Sequence, residues 1–204
     1  MTFARLTLIA AAVATLAACG KKEEHAAAPA AAAPATAPAA AAGGETVVKI
    51  GHAAPLTGSI AHLGKDNENG VRLAIDEINA GGLEIGGKKI KLELVSEDDQ
   101  ADAKTATTVA QRLVDAKVAG VVGHLNSGTT IPASTVYNAA GIPQISPSAT
   151  ATDYTKAGYK TAFRVIANDL AQGKALGNFA VDTLKARNIA VIDDKTAYGS
   201  GLAK

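Results

Sequence analysis

From Thr46 onward, short apolar runs alternate with longer amphipathic stretches, and this alternation limits the possible folds more than any other feature of the chain. Val47-Val48-Lys49-Ile50 reads as a strand, broken by Pro55-Leu56-Thr57-Gly58. Asp66 to Ala80 then places Val71, Ala74, Ile75 and Ile78 at helical spacing, and Gly81-Gly82 stops the helix. After a Gly86-Gly87 turn, Ile90, Leu92 and Leu94 alternate in a half-buried strand from Lys88 to Val95. The next helix, from about Asp102 to Lys117, carries Ala106, Val109, Ala110, Leu113 and Val114 on one side. Val118 to Val122 is a further strand, Ile131 to Ala140 lies in a helix, and Ile142 to Ile145 is a short strand that tolerates Pro143 only if brief or at an edge. Beyond Phe163-Arg164-Val165, a helix from Leu170 to Lys185 and a strand from Ile189 to Asp193 open a second series. Strand and helix at this spacing predict an α/β fold with parallel sheets covered by helices.

The first 45 residues are of another kind. Arg5 precedes an apolar run from Leu6 to Ala14, too short to span a membrane, and small residues follow it. Residues 1–18 therefore read as an export signal. Leu16-Ala17-Ala18-Cys19 resembles the bacterial lipobox, in which lipid is attached to the cysteine that becomes the new N-terminus; an ordinary signal peptide with a chance cysteine is the alternative. Residues 19–45 read as a flexible tether, because Pro29, Pro34 and Pro38 interrupt the alanines and no apolar face can form.

Composition removes several functions. The net charge is +1, from 20 basic and 19 acidic side chains, and aromatics make up 3%, so neither a phosphate-binding field nor a base-stacking platform for nucleic acid is present. Cys19 is the one cysteine, so no internal disulfide can form.

Chemistry concentrates at the predicted strand ends, where ligands bind on such sheets. Four loops lie there, at 52–64, 96–101, 123–130 and 146–153. Gly123-His124-Leu125-Asn126-Ser127-Gly128-Thr129-Thr130 brings small hydroxyls and free amides to a helix start, which suits an anion. Ser146-Pro147-Ser148-Ala149-Thr150 repeats the theme, and the two loops outline one polar cleft. Ser127 and Ser148 could each be helix caps; their pairing, with Thr129, Thr130 and Thr150 close by, raises them above that.

Catalytic and cofactor readings fare worse. Gly51-His52-Ala53-Ala54-Pro55 lacks the glycine spacing of a dinucleotide site, and Asp98 and Asp99 mean little without it. His52, His62 and His124 make a poor metal set, and each reads better as a structural histidine. Ser127 lies three residues from His124, but no nucleophile elbow surrounds it and a sequence count does not assemble a triad. The chain reads as a binder with no cofactor, no metal and no catalytic residues.

From Val47 to the last residue the chain resembles the branched-chain amino-acid binding proteins, extracytoplasmic solute-binding components of ABC importers. The resemblance rests on Gly123-His124-Leu125-Asn126-Ser127, Pro132-Ala133-Ser134, Gly141-Ile142-Pro143, Ile145-Ser146-Pro147-Ser148-Ala149-Thr150 and Asp194-Lys195-Thr196-Ala197-Tyr198-Gly199. It implies a two-lobed type I periplasmic-binding fold around a hinged cleft. Residues 46–165 would form lobe one without its return segment, and 166–204 the crossover and start of lobe two, so that the chain is an N-terminal fragment that holds its ligand poorly by itself.

The same resemblance implies roles. Ser127 would bond the ligand carboxylate through its hydroxyl and amide, helped by the Thr150 amide. The Thr150 hydroxyl and the Ser148 carbonyl would accept from the ammonium, and Tyr198 would reach the ligand from lobe two. Leu63 stands where relatives often carry an aromatic over the ligand side chain. The implied partners are a small amino acid, the importer's membrane permease subunits, and a membrane through a lipid at Cys19, on the periplasmic side. A sensory or regulatory domain of the same fold, recognising an amino acid or small amide, is the alternative.

Overall fold

The computed structural model describes residues 44–204. The export signal, Cys19 and all but the end of the tether lie outside the described residues.

Five parallel strands and one antiparallel edge strand form a single sheet. β1 (Thr46–Ala54) pairs on one side with β3 (Lys88–Asp98) and on the other with β4 (Gly120–Gly123), which is followed outward by β5 (Gln144–Ser146) and β6 (Ala162–Arg164). β2 (Leu83–Ile85) turns back on β3 through Gly86-Gly87. The chain thus builds outward from β1 to β3, then recrosses β1 to add β4. Such a reversal opens a crevice at the C-terminal ends of β1 and β4.

The helices follow from local sequence. α1 (Ala61–Gly81) starts earlier than its apolar spacing implies, because the Ala61-His62-Leu63-Gly64 turn is helical too. Gly64 is buried against Pro55, and any side-chain carbon there would collide with the Pro55 carbonyl. Val71 and Ile75 are buried as their spacing predicts, whereas Ala74 and Ile78 stay exposed at the edge of the buried stripe. At its other end the Asn79 amide donates to Leu92 O and accepts from Leu92 N, at 2.9 and 2.8 Å, fixing α1 to β3.

α2 (Ala103–Asp115) is capped by Asp102, whose carboxylate accepts from Thr105 N at 2.7 Å. Its predicted stripe forms the main core: Val109, Ala110 and Leu113 pack with Ala53, Val121, Ala133 and Tyr137. Full burial of a side chain such as Leu113 contributes about 1.5–3 kcal/mol. α3 (Ser127–Ala139) begins four residues before the expected Ile131, with Pro132 inside it. The small polar residues that suggested a loop are its first turn.

Other boundaries also move. β5 begins after Pro143, whose carbonyl still accepts from Val121 N at 2.8 Å. α4 (Thr152–Lys156) and β6 are short elements without a periodic signal. α5 (Asp169–Asn178) is capped by Asn168 and runs into a π-helical turn at Phe179–Thr183, and α6 (Ala197–Leu202) is capped by Thr196. The expected strand at Ile189–Asp193 does not form. No strand pairs with it among the described residues, and Ile189, Val191 and Ile192 are exposed at 55, 67 and 93%. A strand without a neighbour has no partner for its backbone groups.

No helix of the described residues is long and apolar enough to cross a membrane.

Candidate functional site

The loop after β4 is fixed from below by three fully buried side chains. His124 Nδ1 lies 2.7 Å from Asp99 Oδ2, and its Nε2 lies 3.1 Å from the Tyr137 hydroxyl. A carboxylate can only accept, so in the neutral ring Nδ1 carries the proton and Nε2 accepts from Tyr137. Burial, reinforced by the charges of Asp99 and Glu97, pushes the Tyr137 phenol far above its usual range, and it remains a donor. The role of His124 is therefore structural, as its isolation in the sequence suggests. Gly123 makes the loop possible, since with φ at 140° a side chain there would run into the Ala53 carbonyl.

From this anchor the loop is tied to its neighbours by hydroxyls. His124 O accepts from Thr130 Oγ1 at 3.1 Å and from Ser146 Oγ at 2.8 Å. Ser148 Oγ donates to Leu125 O at 3.1 Å. Ser127 Oγ accepts from Ala151 N at 3.2 Å. Direct bonds between the β4 and β5 loops thus hold Ser127 and Ser148, and Thr150 stands next to Ala151, the residue bonded to Ser127.

Their hydrogen-bonding capacity is not exhausted. Ser127 uses its hydroxyl as an acceptor, which leaves its proton to donate. Asn126 stands at the α3 N-cap without a side-chain capping bond; its carbonyl accepts from Thr129 N at 3.1 Å, which leaves the Ser127 and Gly128 amides for another acceptor. Thr150 is 9% exposed, yet its Oγ1 is buried without a hydrogen-bond partner. Unpaired buried hydroxyls are uncommon, and Thr150 Oγ1 is one at a strand-end crevice, where ligands bind on such sheets.

The two acids at the end of β3 serve the scaffold. Asp98 accepts from Leu56 N at 2.8 Å, Thr57 Oγ1 and Gln100 N, and Asp99 accepts from Ala101 N at 3.0 Å. Burial opposes ionisation of Asp98, but these hydrogen bonds outweigh it and hold the carboxyl below its usual range. The acids clip the loops after β1 and β3. His52, also buried, meets Ser96 Oγ at 3.1 Å.

Beside the hydroxyl cluster, an open cavity of about 1330 Å³ is walled by Ile131, Ala151, Asp169, Tyr198 and Gly201 among others. Ser127, Ser148 and Thr150 do not line it; Ala151, hydrogen-bonded to Ser127, joins the two regions. Tyr198 is on its wall, 41% exposed, with its hydroxyl accepting from Gln172 Nε2 at 3.1 Å. Leu63 is 44% exposed on the first turn of α1 and is not part of that wall.

Asp169 is the residue that sequence reasoning missed. Standing just after Asn168 at a helix start, it reads as one more first-turn acid favoured by the helix dipole, yet it is 4% exposed.

A mostly parallel sheet with hydroxyl-rich loops at its carboxyl edge defines a binding fold, and the sequence matches one such family. The chain belongs to the periplasmic binding protein family, which matches residues 47–204. It is 46% identical over 157 residues to an amino acid binding protein of Pseudomonas aeruginosa, covering 76% of this chain and 41% of that protein. With the leucine-, isoleucine-, valine-, threonine- and alanine-binding protein of the same organism it shares 42% over 156 residues, again 76% of this chain and 41% of the other. Among solved structures it resembles the branched-chain amino acid transporter substrate binding protein LivJ of Streptococcus pneumoniae in complex with isoleucine. That match has a TM-score of 0.70 and 38% identity, over 78% of this chain and 45% of the other. The chain thus spans about 41% of the length of these curated relatives.

Proposed function

We propose that the protein captures a small amino acid, branched-chain by preference, outside the cytoplasm and delivers it to the permease subunits of an ABC importer. The observation that carries this reading is the cluster at Ser127, Ser148 and Thr150, with a free hydroxyl proton, open helix amides and an unpartnered buried Oγ1 side by side. An α-amino acid carries a carboxylate and an ammonium two bonds apart. Its carboxylate takes the Ser127 hydroxyl and the amides of Ser127 and Thr150, while its ammonium donates to Thr150 Oγ1 and the Ser148 carbonyl. Tyr198 closes over it from the far wall, and Leu63 belongs to the side-chain pocket. Residues 46–165 act as the first lobe and 166–204 as the crossover and beginning of the second. The ligands named for the similar proteins, leucine, isoleucine, valine, threonine and alanine, support the choice of substrate class. Nothing in the site calls for covalent chemistry, and the reading is of a binder, not an enzyme.

Calorimetric titration of the complete gene product with leucine, isoleucine, valine and a small amide tests this. Leucine or a close analogue is expected to bind, and Ser127→Ala to weaken it about ten- to a hundredfold, as expected for losing a hydrogen bond to a charged group. An affinity for the amide alone would favour a sensory domain.

We further propose that Cys19 is lipidated and anchors the protein on the periplasmic side through the 19–45 tether. Several acyl chains hold a protein firmly where one does so marginally. Mass spectrometry of the mature N-terminus is expected to find acylated Cys19; an unmodified start near Ala26 to Ala30 would overturn the anchor.

A further inference from the structure

Among the described residues, Arg164 is a cation that takes part in no salt bridge. It is half-buried at the end of β6. Its guanidinium donates from Nη1 to Ala151 O at 3.0 Å and from Nη2 to Thr155 Oγ1 at 3.1 Å. A guanidinium holds its donors in a rigid planar fork, so two such bonds fix the orientation of what it grips.

What it grips is the loop that carries two of the site residues. That loop leaves the sheet at Ser146, which lies opposite Arg164 in the pairing of β5 with β6, and Val165 N donates to Ser146 O at 3.4 Å. It comes back to the Arg164 side chain at Ala151. One residue thus holds both ends of a loop that contains Ser148 and Thr150. Ala151 is the N-cap of α4 and has no side-chain capping bond of its own, so the guanidinium is what fixes this corner from outside the loop.

The grip passes on to the loop after β4. Ala151 is 5% exposed, and its N–H donates to Ser127 Oγ at 3.2 Å. A hydroxyl proton rotates to suit its partners, and a donor on one lone pair turns it towards an acceptor elsewhere. With Ala151 N in place, the Ser127 proton points away from the 146–151 loop.

We infer that Arg164 is a positioning residue of the site: it fixes Ala151 and, through Ala151, the direction in which the Ser127 hydroxyl donates. This rests on the amino-acid reading above and adds to it a residue whose effect on the ligand carboxylate is carried by Ser127. The planar fork matters here as well as the charge, so lysine does not replace it.

The test is a double-mutant cycle in the complete gene product, titrated with L-leucine, with a melting curve for each variant. Arg164→Ala is expected to weaken leucine binding about tenfold with Ser127 present and less than about twofold in Ser127→Ala, where the bond it positions is already gone. Arg164→Lys, which keeps the charge, is expected to behave like Arg164→Ala. Thr155→Val removes one of the two bonds at an exposed position and is expected to give a smaller loss with the same dependence on Ser127; it replaces Arg164→Ala in the cycle if that variant does not fold. A residue that only stabilised the fold would lower the melting temperature in both backgrounds and leave the affinity unchanged. That outcome, an equal loss of affinity in both backgrounds, or full affinity in Arg164→Lys would each overturn the positioning role, and a normal Ser127→Ala response would leave the amino-acid reading standing. If the unaltered protein binds none of leucine, isoleucine and valine, that reading falls and this inference falls with it.

Discussion

His52 shows how one buried side chain can make a binding scaffold sensitive to acid. Burial lowers its pKa from 6.5 to about 4; Glu68 and Asp99 pull the other way, while His124 and Arg72 add to the lowering. Its Nδ1 meets Ser96, and its Nε2 has no partner among the described residues. The unfolded chain takes up this proton near 6.5 and the native one only near 4. Stability is therefore full above pH 6.5 and is lost as pH falls towards 4, by up to about 3 kcal/mol. Glu68 acts in a lower window. Its burial opposes ionisation, but the bonds from Lys65, Arg72 and Ser96 outweigh that and hold it at about 2, so its contribution fades below about pH 4.5. Urea unfolding at pH 7 and pH 5 is expected to give a lower stability at pH 5, and His52→Gln to remove most of that difference. An unchanged difference in the variant would assign the acid sensitivity elsewhere.

At the scale of elements, what could be read from the sequence was what repeats. The α2 stripe of Ala106, Val109, Ala110 and Leu113 is buried as its spacing predicts, and Asp102, where the helix was expected to begin, is its cap. Elements too short for a period escaped: β2, β6 and α4 have three to five residues each. The Ile189–Asp193 strand failed for the opposite reason, since β-propensity describes fit to a neighbouring strand and none is present among the described residues. Hydrogen exchange is expected to separate the two cases. Amides of 189–193 should exchange rapidly, while those of Ile50 to Ala53, paired on both sides by β3 and β4, should be protected. Comparable protection in both segments would mean that 189–193 has a backbone partner in solution.

At the scale of the whole molecule, local signals indicated the sheet's position but not its polar economy. The strand-end loops and the Ser127, Ser148 and Thr150 cluster were legible because hydroxyls and glycines after apolar runs have few other uses. Burial of Asp169 was not, because it depends on α6 closing over it at Gly201, thirty-two positions further along. The Asp99–His124–Tyr137 chain depends in the same way on three separate elements meeting. Distance along the chain, more than chemistry, set the limit.

The Asn79 contact with Leu92 has a consequence for how these molecules behave together. Beyond Ile90, β3 has no neighbouring strand on its outer side among the described residues, which makes it a margin for another chain to pair with. One side-chain amide imitates a peptide unit there and occupies both Leu92 groups. An incoming strand would find its register interrupted at that residue, so a single asparagine guards the open margin against growth from molecule to molecule.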